Sequence, residues 1–266
     1  MGNPAAQKGH TVSTATQIDW RAWAARWDRQ QECYLPDREE RFAFMFDYLA
    51  RQRGDGPLRV VDLCCGPGSI SARLLARFPQ ATALAVDIDP WLVEIGRQTV
   101  ERDWPGRISW LEVDLRRDDW TANLEPGSFD AVLSATALHW IQPEDLIGVY
   151  RHVARLLATG GLFLNADLFV TGSPTIDALG LAFEREMEAA EFAKPGGEDW
   201  ATYWEAARAE PAFADLLAER ERRFGERPPV QYPGVAFHHE ALRAVGFRET
   251  GEVWRRYRDA ILVGLR

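Results

Sequence analysis

Five apolar runs, spaced along the chain with helical periodicity between them, decide what this sequence can fold into. They are LRVVDLC (58–64), TALAVDI (82–88), ISWLEVD (108–114), SFDAVLSA (128–135) and LFLNADL (162–168). Near-continuous apolar character, rather than alternation, marks strands that are covered on both faces. Between the first two runs, SISARLLARF sets Ile70, Leu74, Leu75 and Phe78 on one side and stops at Pro79. A further helix starts at Pro90. Another, from Pro143, carries Leu146, Val149, Tyr150, Val153, Leu156 and Leu157 on one side and ends at Gly160 and Gly161. Strand and helix in regular alternation predict an α/β fold built on a mostly parallel sheet.

The flanks read differently. DREERFAFMFDYLARQRG opens on Asp37 with Glu40 three residues on, the spacing of a capping box, and places Phe42, Met45, Phe46 and Leu49 on one face. Together with WRAWAARWDRQQECY before it, this predicts a helical cap over 17–56, ahead of an α/β core over 57–170. Residues 1–16 are small and polar, without a signal-peptide pattern, and read as a disordered tail. At 171 the alternation stops. TIDALGLAFEREMEAAEF sets Ile176, Leu179, Phe183 and Met187 on one face and Glu184, Glu188 and Glu191 on another. Trp200, Tyr203, Trp204 and Ala207, then Phe213, Leu216 and Leu217, follow at helical spacing up to the Pro-rich ERPPVQYPG (226–234). Residues 171–236 are therefore expected to be an inserted helical lid. Residues 237–266 complete the core with a short helix and an antiparallel hairpin on the sheet edge.

Composition narrows the partners. With 31 Lys and Arg against 40 Asp and Glu, the net charge is −9, which argues against nucleic acid and anionic membranes. No apolar run is long enough to span a bilayer, and the cytoplasm is the expected location. Cys64 and Cys65 are neighbours and Cys33 is distant, so neither a disulfide framework nor a zinc spacing is available, and no metal is expected. The loop VDLCCGPGS (61–69) places Asp62 before a tight glycine turn. A dinucleotide fingerprint needs a third glycine where Ser71 stands, and a phosphate loop needs a lysine. A carboxylate beside the turn instead suits a nucleoside that carries a cationic group.

VVDLCCGPGSIS, ALAVDIDP, WLEVDLR, FDAVLSATALHWI and GGLFLNAD, in this order, resemble the class I S-adenosylmethionine-dependent methyltransferases across roughly 57–170 and 237–266. The LHW after the fourth run is similar to the small-molecule branch that includes trans-aconitate methyltransferase and the biotin-pathway carboxyl methyltransferase. The resemblance implies a Rossmann-like sheet with an antiparallel last strand, S-adenosyl-L-methionine as methyl donor and S-adenosyl-L-homocysteine as product. It also assigns residues. Asp62 orients the loop and favours the cofactor's ammonium group, and Gly66 and Gly68 let the backbone approach it. Cys64 stands where the family usually has glycine. Asp87 accepts both ribose hydroxyls, Asp89 being a helix cap before Pro90. Asp114 takes the adenine amino group with Leu115 supplying a backbone contact, Ile88 or Trp91 covers the ring, and Ser134 and Thr136 flank the methionine and its methyl group.

A sulfonium methyl group is displaced in line, so the protein must align the acceptor and, for a protic one, remove a proton. His139 is the best-placed titratable residue for that task, as a base or as a positioning group. His152 is expected to be solvated, and His238 and His239 to cap or contact the lid. Tyr34, Arg38, Thr136, Trp200 and Tyr203 are the candidates for contact with a small-molecule acceptor, although aromatics at helical spacing are as often core. A glutamate stripe at 184, 188 and 191 would favour an amine if turned inward. The chain is expected to act as a monomer or a homodimer on a biosynthetic intermediate; a fold relative that binds the cofactor without methyl transfer is the alternative.

Overall fold

The computed structural model describes residues 18–54, 56–225 and 229–266; the tail expected over 1–16 lies outside them. Helices α1 (Trp20–Tyr34) and α2 (Arg38–Arg53) lead into β1 (Leu58–Leu63), α3 (Ser69–Arg77), β2 (Ala81–Asp87), α4 (Pro90–Gln98), the short α5 (Val100–Asp103), β3 (Ile108–Glu112) and β4 (Phe129–Ala135). A 3-10 turn at Leu138–Trp140 precedes α6 (Pro143–Leu156) and β5 (Leu157–Leu168). Then come α7 (Pro174–Phe192), α8 (Trp200–Ala209), a second 3-10 turn (Pro211–Phe213), α9 (Ala214–Phe224), α10 (Val235–Ala244), β6 (Glu249–Arg256) and β7 (Asp259–Leu265).

The strands form one sheet in the order β3-β2-β1-β4-β5-β7-β6. The first five are parallel, and β7 enters antiparallel between β5 and β6. The runs predicted as buried strands are β1 to β5. Val60, Ala83, Leu133 and Leu164 point to a core with α2 and α3, while Val61, Val86, Val132 and Phe163 point to the other side with α6 and α10. A third cluster joins α1 and α4 to α8 and α9 through Trp27, Trp91, Tyr203, Trp204, Phe213 and Leu217.

Two local readings change. The capping box expected at Asp37 does not form: Asp37 makes no side-chain cap and instead pairs with Arg256 of β6, while Glu40 accepts from the Trp254 indole at 3.0 Å. A long-range partner outbids the local one. The second change is α7, whose glutamate side faces inward. Glu184 is buried, whereas Ile176 and Leu179 are each 60% exposed and Phe183 is 47% exposed.

Candidate active site

The chain runs outward from β1 to β3 and then returns to place β4 on the other side of β1. Strand order reverses there, and in open α/β sheets ligands bind beyond the carboxyl ends of the strands at such a switch point. The residues singled out in the sequence line that end of the sheet. Asp62 and the Cys64, Gly66 and Gly68 turn belong to β1 and its exit, Asp87 and Ile88 to that of β2, Asp114 and Leu115 to that of β3, and Ser134, Thr136 and His139 to that of β4.

Asp62 is fully buried. Its Oδ2 accepts from the backbone N–H of Ser71 at 3.0 Å and from the Ser71 hydroxyl at 2.7 Å, which pins the first turn of α3. Its Oδ1 is buried without a hydrogen-bond partner among the described residues. Asp87 accepts the N–H of Gly66 at 2.7 Å and that of Asp89 at 2.8 Å, one on each oxygen. The carboxylate that ends β2 thus shapes the glycine turn that leaves β1. Asp89 is the helix cap expected, accepting from the N–H groups of Trp91 and Leu92, and its other oxygen pairs with Arg220 of α9 at 2.6 Å.

Burial pushes the Asp62 carboxyl up to about 7, against the pull of the Ser71 bonds. Burial also raises Asp87 to about 6, helped by the neighbouring charge of Asp89. Both folded values lie above the ordinary 3.8, so the folded chain keeps protons that the unfolded chain has released. Their stability contribution is complete below about pH 4 and is lost as the pH rises through 6 and 7. The melting temperature of the ligand-free protein is therefore expected to fall between about pH 5 and pH 8. Asp62→Asn should flatten that slope by up to about 1.4 kcal/mol per pH unit, which thermal melts across a pH series would measure.

Cys64 adopts φ 55°, in the left-handed region that favours glycine. This gives the physical reason for a glycine at that position. A side chain there costs about 1–2 kcal/mol, so Cys64→Gly is expected to stabilise the fold by about 1 kcal/mol, read as a higher denaturation midpoint at unchanged slope. No disulfide joins Cys64 to Cys65.

The remaining cofactor-side residues are placed as follows. Asp114 is chelated by Arg116, with Nε at 2.9 Å and the backbone N–H at 3.0 Å from Oδ1. Leu115 is buried, and the Ile88 carbonyl accepts from Arg223 at 3.2 Å. Trp91 is buried in the aromatic cluster, its ring centroid 4.1 Å from that of Phe213. Ser134 donates its hydroxyl to the Leu63 carbonyl at 2.9 Å, tying β4 to β1 where their ladder ends. The capacity left over suits a nucleoside with a cationic group: an unsatisfied buried oxygen on Asp62, and on Asp87 two oxygens that each carry one N–H bond and retain a lone pair. Trp27 of α1 closes the far wall, 3.7 Å from where a Cβ on Gly66 would lie.

On the β4 and β5 side, His139 meets a partner that sequence reading missed. Its Nδ1 lies 2.6 Å from Asp167 Oδ1, and its backbone N–H donates to Asp167 Oδ2 at 3.1 Å. A carboxylate only accepts, so Nδ1 carries the proton and Nε2 is left as the basic nitrogen. Burial raises Asp167, but the charge and hydrogen bond of His139 outweigh it and hold the carboxyl below its ordinary range. Tyr232 stacks on the His139 ring at 5.9 Å and 24°, and Trp140 lies at 5.1 Å.

Thr136 has φ 54°, strained for a β-branched residue. Its N–H donates to the Ala166 carbonyl at 2.8 Å, and the buried Arg41 donates to the same carbonyl at 2.5 Å and to Thr136 Oγ1 at 3.4 Å. Arg41, one turn after Arg38, is a second residue that no motif announced. It is countered by Asp259 at 3.3 Å. Asp259 itself is raised to about 6 by burial, with Arg41 opposing.

Several acceptor candidates lie elsewhere. Tyr203 is fully buried between Trp23, Trp27 and Trp204, so it is core and lines no cavity. Trp200 is 42% exposed, and its N–H donates to the Tyr34 hydroxyl at 3.1 Å, joining α8 to α1. Arg38 is buried against Asp28 at 3.0 Å. His238 is no cap: it packs in the core with Nδ1 2.7 Å from the Tyr150 hydroxyl. His152 is only half buried and pairs with Thr121 Oγ1 at 2.8 Å.

A model of the methyltransferase domain family matches residues 60–161. The chain is 32% identical over 136 residues to a trans-aconitate 2-methyltransferase of Azoarcus sp. (strain BH72), covering 51% of this chain and 48% of that protein. It is 32% identical over 178 residues to the protein of that name from Rhodopseudomonas palustris (strain BisA53), covering 67% and 61%. The chain thus spans about half the length of the first of these relatives. In fold it is similar to an O-methyltransferase family protein from Burkholderia thailandensis, with a TM-score of 0.56 at 20% identity over 92% of this chain and 69% of that one. Sheet order, strand-end carboxylates, glycine turn and these similarities agree: residues 60–161 match a methyltransferase domain, and the chain is similar to class I S-adenosylmethionine-dependent methyltransferases in sequence and fold.

Proposed function

We propose that this protein transfers the methyl group of S-adenosylmethionine to an oxygen or nitrogen of a small-molecule acceptor, a biosynthetic intermediate, in the cytoplasm. The observation that carries the reading is that two half-sites stand at the same carboxyl end of one sheet, on either side of the switch point. Asp62, the glycine turn and Asp87 stand on the β1 and β2 side, and the His139 and Asp167 pair stands on the β4 and β5 side. The cofactor, when bound, supplies an electrophilic methyl group on a sulfonium. Asp62 Oδ1 is assigned to its ammonium group, Asp87 to the ribose hydroxyls and Asp114, shared with Arg116, to the adenine edge. Leu115, Ile88, Ser134 and Thr136 border that path. His139 Nε2 takes the proton of a protic acceptor, and Asp167 fixes the tautomer that makes this possible. Helices α1 and α7 to α9 act as cap and lid, excluding water from the site. The names of the curated relatives add trans-aconitate, a carboxylate acceptor that needs no base.

Calorimetric titration of the wild-type protein with S-adenosylmethionine and S-adenosylhomocysteine tests the reading. Saturable binding of both is expected. A folded protein that binds neither would leave only a fold relative with another ligand.

A further inference from the structure

Three carboxylates on α7, β5 and β7 have partners inside the protein. Asp167 is held by His139. Arg41 meets Asp259 at 3.3 Å. Arg258 donates its backbone N–H to Glu184 Oε1 at 2.9 Å and its guanidinium Nε to Glu184 Oε2 at 2.8 Å. Glu184 is the inward-facing member of the α7 stripe, so the carboxylate that would have welcomed an amine is already consumed by an arginine. Farther along the stripe, Glu191 pairs with Lys194. What faces outward beside the imidazole is aromatic: Tyr232 is 40% exposed and Trp140 is 54% exposed.

We propose that the acceptor is an uncharged, planar molecule whose nucleophile is a phenolic hydroxyl, bound against Tyr232 and Trp140 with that hydroxyl on His139 Nε2, and that polycarboxylates are not substrates. This rests on the methyl-transfer reading above. A polycarboxylate brings several negative charges into a region where Arg41 and Arg258 already face the carboxylates of Asp259 and Glu184, and an uncompensated buried charge is strongly unfavourable. Nor does an ionised carboxylate have a proton to lose, which would leave the His139 and Asp167 pair idle. A phenol, ionising near about pH 10 as tyrosine does, lies within reach of an imidazole base in a way that an aliphatic alcohol does not. Flat rings suit it sterically and electronically. In the step itself the hydroxyl proton passes to Nε2 and an oxygen electron pair forms the new O–C bond. The S–C bond of the sulfonium donor breaks with its pair remaining on sulfur, and the imidazolium then returns the proton to solvent.

The test compares naphthols and hydroxyquinolines with unsaturated di- and tricarboxylates, by calorimetric binding and by S-adenosylhomocysteine release at saturating S-adenosylmethionine. Phenols are expected to bind and turn over, with KM at least about tenfold higher in Tyr232→Ala. Their turnover should fall in His139→Gln while their binding persists. Preference for the carboxylates overturns the proposal. So does a protein that binds cofactor yet neither binds nor methylates any of the phenols. If no cofactor binds, the methyl-transfer reading fails instead, and the binding comparison still decides which acceptor class the site takes.

Discussion

Asp87→Ala is expected to weaken S-adenosylmethionine binding by about 10²- to 10⁴-fold while the protein stays folded. The size follows from two losses. Two hydroxyl bonds to an ionised carboxylate are worth about 1.5–3 kcal/mol each, and both go together. Asp87 also holds the N–H of Gly66 at 2.7 Å, so the glycine turn loses its anchor in the same substitution. Asp87→Asn separates the two effects, because the amide oxygen can still accept from Gly66 while the charge is gone; an intermediate loss is expected. Asp114→Ala should cost less than Asp87→Ala, since that carboxylate is already shared with Arg116. Calorimetry with each variant, alongside a thermal melt to confirm folding, gives the ranking directly. Equal losses for Asp87→Ala and Asp114→Ala would count against the assignment.

His139→Ala should lower turnover of a protic acceptor by about 10²- to 10⁴-fold, the usual contribution of a positioned acid or base. Cofactor affinity should not change, because His139 lies on the β4 side of the switch point. Asp167→Asn is expected to act through His139: the amide can donate to Nδ1 and so favours the wrong tautomer, leaving a proton on the nitrogen that should accept one. Asp167 is therefore a positioning residue, and its signature is a fall in kcat with KM for the cofactor unmoved. The carboxyl is held below its ordinary range by the charge and hydrogen bond of His139, so Asp167 stays an acceptor throughout the neutral pH region. Steady-state kinetics with both variants checks this, and unchanged turnover in His139→Ala would remove the base from the scheme.

The sheet is legible in the sequence because its central strands are buried on both faces, and short apolar runs bounded by turn residues and alternating with helical patterns mark such strands. The same regularity sets Asp62, Asp87, Asp114 and His139 at or just beyond strand ends. Partnerships are less readable. Asp167 sits within an apolar strand, 28 residues from the histidine it orients, and no local spacing joins them. Arg41 is one turn beyond Arg38 on a helix whose pattern says only which side is apolar; its burial depends on Thr136, Ala166 and Asp259, which the fold alone brings together. Periodicity places the stripes of α7 correctly and does not say which one turns inward. Arg258, arriving from the β6 and β7 hairpin, decides that by claiming Glu184. Asp37 fails as a cap for a similar reason, its carboxylate being taken by Arg256 from 219 residues away.

A crystal structure of the protein with S-adenosylhomocysteine bound is the most direct measurement. It should show the ribose hydroxyls on Asp87, the amino group on Asp62 Oδ1, and the sulfur turned toward Thr136 and the Nε2 of His139. Density for the ligand at another surface, or a sulfur facing away from His139, would contradict the account.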